Sequence, residues 1–317
     1  MRLRRLLAGA TAGVAATAAA NRLLRSRTGD FEPSLAGDQG TYRWRGFDVA
    51  YTEAGDPGAP DVVLLHGINA AASSHEFAGV FDALADDYHV LAPDLPGFGH
   101  SDRPPVAYTS TLYEGFVADF LADAADDPVV VASSLTGSWA AMAAADDEAT
   151  GGAGVSGLVL VCPTADTGQR RPSVRRLLRA PVVGTGLFHA LTSERGLRWF
   201  NQRDAFYRPE NVPEGFVQHQ YRASHQPGAR FAPASFAGGF LDPNVDLAET
   251  LAGIDAPVTL VWGREAAITP LSEGKELADD ADARLVVLDD TSLLPHAEQP
   301  DSFLEAVRDE LPRLERH

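Results

Sequence analysis

The chain has 317 residues, enough for one large domain or for a core with an insertion. Hydrophobic residues make up 45% of it, while 44 Asp and Glu against 26 Lys and Arg leave a net charge of −18, with Lys275 the only lysine. A chain this acidic excludes a nucleic-acid partner. Its lysine-poor, acidic balance predicts a halophilic protein working in concentrated salt, where the screening length falls to about 3 Å at 1 M and like-charge repulsion weakens.

At the N-terminus, Arg2, Arg4 and Arg5 precede Leu6 to Ala20, a stretch dominated by alanine and glycine, and Arg22, Arg25 and Arg27 follow it. The stretch is shorter than the ~20 apolar residues that span a bilayer. It predicts loose membrane association through residues 6–20. A signal peptide cleaved near Ala18-Ala19-Ala20 is the competing reading. The chain is therefore expected in the cytoplasm or at a membrane surface rather than exported. Ser26 to Gly40, rich in Gly, Pro and Asp, reads as a linker, so residues 1–40 form an arm separate from the folded body.

Tyr42 to Trp44 and Phe47 to Thr52 read as two strands of a hairpin around Gly46. Val62 to Leu65 is a continuous apolar run, the pattern of a strand covered on both faces. His75 to Asp86 reads as one helix with Phe77, Val80, Phe81 and Leu84 inward. Tyr88 to Ala92 is a strand and Leu112 to Ala125 a helix. Val129 to Val131 and Leu158 to Val161 are strands on either side of a helix from Ser138 to Ala145. Pro257 to Trp262 and Arg284 to Leu288 are strands, with helices at Leu271 to Asp279 and Ser302 to Leu314. Strands alternating with helices predict a mainly parallel sheet. Residues 163–256 break the alternation and are too long for a loop. They read as a mostly helical cap inserted into a core of residues 41–162 and 257–317, over the carboxyl edge of the sheet where ligands bind in such folds. Cys162, the only cysteine, excludes an intrachain disulfide and ends an apolar run, so it reads as buried. No cysteine–histidine spacing suggests a metal site.

The strand Val129 to Val131 runs straight into Ala132-Ser133-Ser134-Leu135-Thr136-Gly137. A strand, a sharp turn carrying a serine and then a helix is the arrangement of a nucleophile elbow. The turn is crowded, so the residues two before and two after the serine must be small. Ser134 satisfies this with Ala132 and Thr136, whereas Ser133 would place Val131 and Leu135 there. Thr136 is larger than glycine and predicts a tight elbow.

Four landmarks in order make the chain resemble the α/β-hydrolase family: Leu64-Leu65-His66-Gly67-Ile68-Asn69; Asp94-Leu95-Pro96-Gly97-Phe98-Gly99-His100-Ser101-Asp102; the elbow; and Val261-Trp262-Gly263-Arg264 followed by His296-Ala297-Glu298-Gln299-Pro300. The resemblance covers about residues 42–314. It implies the α/β-hydrolase fold, a mainly parallel sheet flanked by helices with a mostly helical cap insertion. It also implies cofactor-free hydrolysis, with no metal, of a small-molecule substrate or ligand such as an ester or similar acyl compound. By that resemblance Ser134 is the nucleophile, and the backbone N–H groups of Ile68 and Leu135 form the oxyanion hole. The family's acid commonly falls where this chain has Ala266, and its histidine where this chain has Leu293.

A serine hydroxyl needs a base within hydrogen-bond reach and an orienting carboxylate behind it. Three arrangements follow. His296 is the candidate base with Glu265 the candidate acid; or a histidine of the insertion, His189, His219 or His225, supplies the base; or there is none. The first two predict a carboxylesterase-like serine hydrolase with a non-standard triad. The last predicts a degenerate triad, in a hydrolase-fold protein that binds an apolar small molecule.

Overall fold

The computed structural model describes residues 31–145, 154–308 and 311; the apolar segment 6–20 lies outside them. Eight strands form one sheet: β1 (Asp38–Trp44), β2 (Phe47–Ala54), β3 (Asp61–Leu65), β4 (His89–Pro93), β5 (Val129–Ser133), β6 (Gly157–Val161), β7 (Val258–Gly263) and β8 (Arg284–Leu288). Their spatial order is β1-β2-β4-β3-β5-β6-β7-β8. β2 pairs antiparallel with β1 and β4, and every later pairing is parallel. The β1–β2 hairpin turns through Arg45 and Gly46, both at positive φ, as a two-residue hairpin turn requires.

The β-branched runs seen in the sequence are the central strands, and their period of two divides the core into two layers. Val63, Leu65, Val130, Ala132, Leu158 and Leu160 face one side, with Phe116, Phe120 and Trp139. Val62, Leu64, Val129, Val131, Val159 and Val161 face the other, with Phe77, Phe81 and Phe303. This double-sided burial is why the runs are continuously apolar rather than alternating.

Helices α1 (Phe81–Ala85), α2 (Ser110–Ala124) and α3 (Thr136–Ala145) connect the first strands. The stretch predicted as one helix from His75 is instead a 3-10 turn, Ser74–Phe77, followed by α1. The break falls at Gly79, where the chain packs closely against Pro300. The four apolar residues expected on its inner face are buried all the same.

Between β6 and β7 lie α4 (Pro172–Arg179), α5 (Val183–Leu191), α6 (Glu194–Phe200), α7 (Phe216–Ser224), α8 (Phe231–Ala237) and α9 (Leu247–Ala252). Parts of this insertion reach loops at the carboxyl ends of the strands. Arg179 donates to the carbonyls of Pro105 and Val106 at 2.8 Å. Tyr207 and Arg208 N–H groups donate to Glu298 at 3.0 and 2.9 Å. α9 packs instead on α3 and on α10 (Leu271–Ala281). The chain then runs through α11 (Pro295–Glu298) and α12 (Pro300–Val307).

The arm is tied down before β1 begins. Ser34 and Leu35 are buried, and the Ser34 carbonyl lies 2.7 Å from Nδ1 of His75.

Candidate active site

The bend after β5 falls at Ser134. Ser133 is the last strand residue and is buried. Ser134 takes φ +55°, a left-handed conformation rare for a residue with a Cβ, and its side chain is partly exposed. Its N–H continues the sheet pattern to Val161 O at 2.8 Å, and its carbonyl accepts from Gly137 at 3.0 Å to open α3. The strain is thus held from both sides, by a strand behind and a helix ahead.

The loop after β3 is pressed against this bend. A Cβ built on Gly67 would stand 3.5 Å from that of Ser134. His66 fixes the loop: Nδ1 lies 2.8 Å from the Gly67 carbonyl and Nε2 accepts from Leu95 N–H at 3.0 Å. These two bonds together select the neutral Nδ1-protonated tautomer. Thr136 Oγ1 donates to the His66 carbonyl at 2.8 Å. The threonine that looked oversized in the sequence therefore ties the elbow to the β3 loop. Asn69 Oδ1 accepts from Ala71 N–H at 2.7 Å within the same loop. Among the described residues neither Leu135 N–H nor Ile68 N–H donates to an acceptor. Leu135 directly follows Ser134, and Ile68 follows Gly67, the residue pressed against the bend.

The loop after β4 is built around Asp94. Its carboxylate accepts from Ser74 N–H and Oγ and from His100 N–H at 2.7–2.8 Å. Burial pushes this carboxyl up, but the hydrogen bonds from Ser74 and His100 outweigh it and hold it below its ordinary range. A side chain on Gly99 would collide with that carboxylate.

The Ser134 hydroxyl makes no hydrogen bond among the described residues. His296, the candidate base, is fully buried against Phe77 and Phe303. Its Nε2 lies 3.5 Å from a carboxylate oxygen of Glu76, close enough for charge attraction but not aligned as a hydrogen bond. Glu265, the candidate acid, is exposed; the carboxylate facing His296 is that of Glu76. Burial raises Glu76, but the His296 imidazole and then the N–H of Gly67, at 3.0 Å, lower it more, leaving it below its ordinary value. His189 and His225 stack on each other at 4.3 Å between ring centres. His219 stacks on His75 at 4.0 Å and faces Ser34.

Glu76 lies within the stretch from His75 to Asp86 that reads as a helix, and nothing in the sequence singles it out. It stands ten residues after His66 and next to the buried Phe77.

Ala266 is buried in an apolar cluster with Cys162 and Trp262, and the partly buried Leu271 and Leu293 pack against that cluster; Leu293 also packs against the cluster of Phe206, Phe216 and Leu294. Trp262 Nε1 donates to Thr269 O at 2.8 Å, holding the loop after β7. Glu298 accepts from Ser292 N–H at 3.0 Å and holds the loop after β8. Burial pushes the Cys162 thiol up to about 12, so it is no nucleophile here. A cavity of about 10 Å³ lies beside the β3 loop, lined by Asn69, Glu76, Phe216, Gln220 and Leu294 among others. It has room for about one water molecule. Among the described residues no group of three or more His, Cys, Asp or Glu could hold a metal ion.

The profile of the alpha/beta hydrolase family matches residues 62–306. The uncharacterized hydrolase YugF of Bacillus subtilis is 26% identical over 270 residues, 83% of this chain and 94% of that protein. An uncharacterized hydrolase of Saccharomyces cerevisiae is 46% identical over 59 residues, a match spanning 19% of this chain and only 20% of that protein. Among solved structures, a serine hydrolase involved in carbazole degradation has a TM-score of 0.69, covering 86% of this chain and 98% of its own, at 19% identity. At that identity the likeness is one of fold.

Proposed function

The chain belongs to the alpha/beta hydrolase family, and from that premise we propose that it is a member whose serine site has lost its proton relay and binds, rather than turns over, an apolar small molecule bearing an ester or similar acyl group. The observation that carries this reading is the apolar cluster joining Ala266 and Leu293. The family resemblance assigns an acid and a base to these two positions. In their place stand a methyl and an isobutyl group, packed on Trp262.

What remains is the half of the site that recognises an acyl carbon: the Ser134 hydroxyl and two free N–H donors at Ile68 and Leu135. Backbone donors survive the loss of side chains because they depend only on the path of the chain. Removing the base or nucleophile of a triad lowers turnover by roughly a million-fold, leaving about 10³–10⁴ over water from the oxyanion hole and binding. The small cavity beside the β3 loop is walled by Phe216 and Gln220 of α7, and this reading expects α7 to move when a ligand enters.

A second reading, an active serine hydrolase with His296 as base, has one observation in its favour. A carboxylate, Glu76, does face His296, at 3.5 Å. It requires the imidazole to leave its packed place between Phe77 and Phe303.

Labelling with a fluorophosphonate probe separates the two. The first reading expects no covalent labelling of the full chain between pH 6 and 9. Labelling of the wild type that disappears in both Ser134→Ala and His296→Ala overturns it and supports the second.

A further inference from the structure

On a chain of net charge −18, residues 170–203 stand apart: they hold eight arginines and a single carboxylate, Glu194. Six of the arginines are exposed, while Arg175 and Arg179 are held inward over Phe240 and Phe231. The same stretch carries most of the large exposed apolar side chains among the described residues. Val183, Leu187 and Leu191 are 52%, 37% and 58% exposed. They recur every fourth residue, so they form one stripe along the outer side of α5. The opposite side of that helix is buried through Gly184, Thr185, Phe188 and His189.

Neighbouring elements widen the stripe. α4 packs on the start of α5, with Gly184 lying against the carbonyls of Leu177 and Leu178, and it adds Leu177, 49% exposed. α6 adds Trp199, 57% exposed, with the guanidinium of Arg203 over its ring at 4.9 Å. An apolar stripe with an interfacial tryptophan and a fringe of arginines is the composition that lies on an anionic bilayer. The apolar side chains enter the acyl boundary, the long arginine stems reach back to the headgroups, and each cation near the surface gains from the lipid charge.

Phe31, the first described residue, stacks on His100 and lies 5.1 Å from the ring of His219 on α7, and α7 packs on α6. The thirty residues before Phe31 contain the Arg-flanked apolar stretch 6–20. In sequence, a stretch of matching chemistry therefore precedes a residue that packs against the neighbour of α6. No helix among the described residues is long and apolar enough to cross a membrane, so contact through α4–α6 is peripheral.

We infer that the outer face of α4–α6 is a docking surface for an anionic lipid bilayer, seated by Leu177, Val183, Leu187, Leu191 and Trp199 and held by the surrounding arginines. The inference is independent of whether Ser134 is catalytic.

Tryptophan fluorescence tests it on the unmodified full chain. The protein has four tryptophans; Trp44, Trp139 and Trp262 are buried and Trp199 alone is open to solvent. Vesicles of phosphatidylglycerol with brominated acyl chains quench a tryptophan only when it reaches the acyl region. The expected result is quenching that is absent in Trp199→Phe and at least fivefold weaker with phosphatidylcholine vesicles. Partition into the anionic vesicles is expected to fall at least tenfold in Leu187→Glu/Leu191→Glu and to be unchanged in Lys275→Glu, which alters net charge equally on the exposed side of α10. Three results overturn the inference. The chain floats with vesicles but shows no Trp199 quenching, so that the arm alone binds. The chain does not bind anionic vesicles at all. Or light scattering gives a dimer that Leu187→Glu/Leu191→Glu converts to monomer without any vesicle binding, which makes the face a self-interface.

Discussion

Leu293 and Ala266, on loops that follow different strands, share one apolar cluster built on Trp262. Loops after β7 and β8 meet there because β7 and β8 pair in parallel and end together, with Gly263 opposite Leu288. On the proposed reading, the fold still brings these two loops together while the side chains they carry are apolar.

Restoring that chemistry is the first prediction. Ala266→Asp/Leu293→His is expected to raise hydrolysis of p-nitrophenyl butyrate by about 10²–10³ over the wild type, a small part of what a complete relay supplies. The gain is expected to vanish when Ser134→Ala is added. Ala266→Asp alone leaves an unpaired carboxylate in a nearly dry cluster and is expected to destabilise by about 1–3 kcal/mol, with part of the loss recovered in the double variant. Urea titration measures the second effect and a spectrophotometric assay the first.

Ser134 sits at φ +55° without a hydrogen bond to its hydroxyl. Ser134→Ala keeps the strain and loses no bond, so its stability is expected within about 0.5 kcal/mol of the wild type. Ser134→Gly removes the steric cost of a Cβ in the left-handed region, worth roughly 1–2 kcal/mol. Glycine is expected to be the more stable of the two by about 1 kcal/mol in a denaturant melt. The opposite order contradicts a strained elbow.

Glu76 gives a prediction about pH. Its carboxyl is depressed in the folded protein, with burial opposed and outweighed by His296 and Gly67 N–H. A depressed carboxyl contributes stability that is present above its unfolded value, near 4.5, and is lost as pH falls through the lower folded value. Glu76→Gln is therefore expected to cost about 2–4 kcal/mol at pH 7, since removing one partner of a buried pair leaves the other uncompensated. The difference from wild type is expected to shrink below pH 4.5. A penalty that is constant from pH 7 to pH 3 contradicts the pairing with His296.

The bend between β5 and α3 was legible in the sequence because the turn is local: three valines followed by small residues and serines describe it without reference to the rest of the chain. The strands were legible for the same reason, since burial on both faces leaves a continuous apolar run. The role of Thr136 was not, because its size suggests crowding, whereas its use depends on the His66 carbonyl arriving 70 positions away in the chain. Glu76 was hidden in the same way. A carboxylate inside an apolar stretch acquires meaning only when His296 and Gly67 meet it in space. The substitutions at 266 and 293 were visible only against the family pattern, and their packing into one cluster only in three dimensions.

The acidic composition predicts salt dependence. With a net charge of −18, self-repulsion falls as the screening length drops from about 10 Å at 0.1 M to about 3 Å at 1 M. The melting temperature is expected to rise by several degrees between 0.1 M and 2 M KCl. Equal melting temperatures at the two concentrations contradict a halophilic design.

The central claim is the missing relay, and steady-state hydrolysis of p-nitrophenyl butyrate by the wild type and Ser134→Ala, side by side, tests it most directly. The account predicts indistinguishable rates for the two proteins. Turnover by the wild type in the ordinary enzymatic range, about 1–10³ s⁻¹, that is abolished by Ser134→Ala would contradict it.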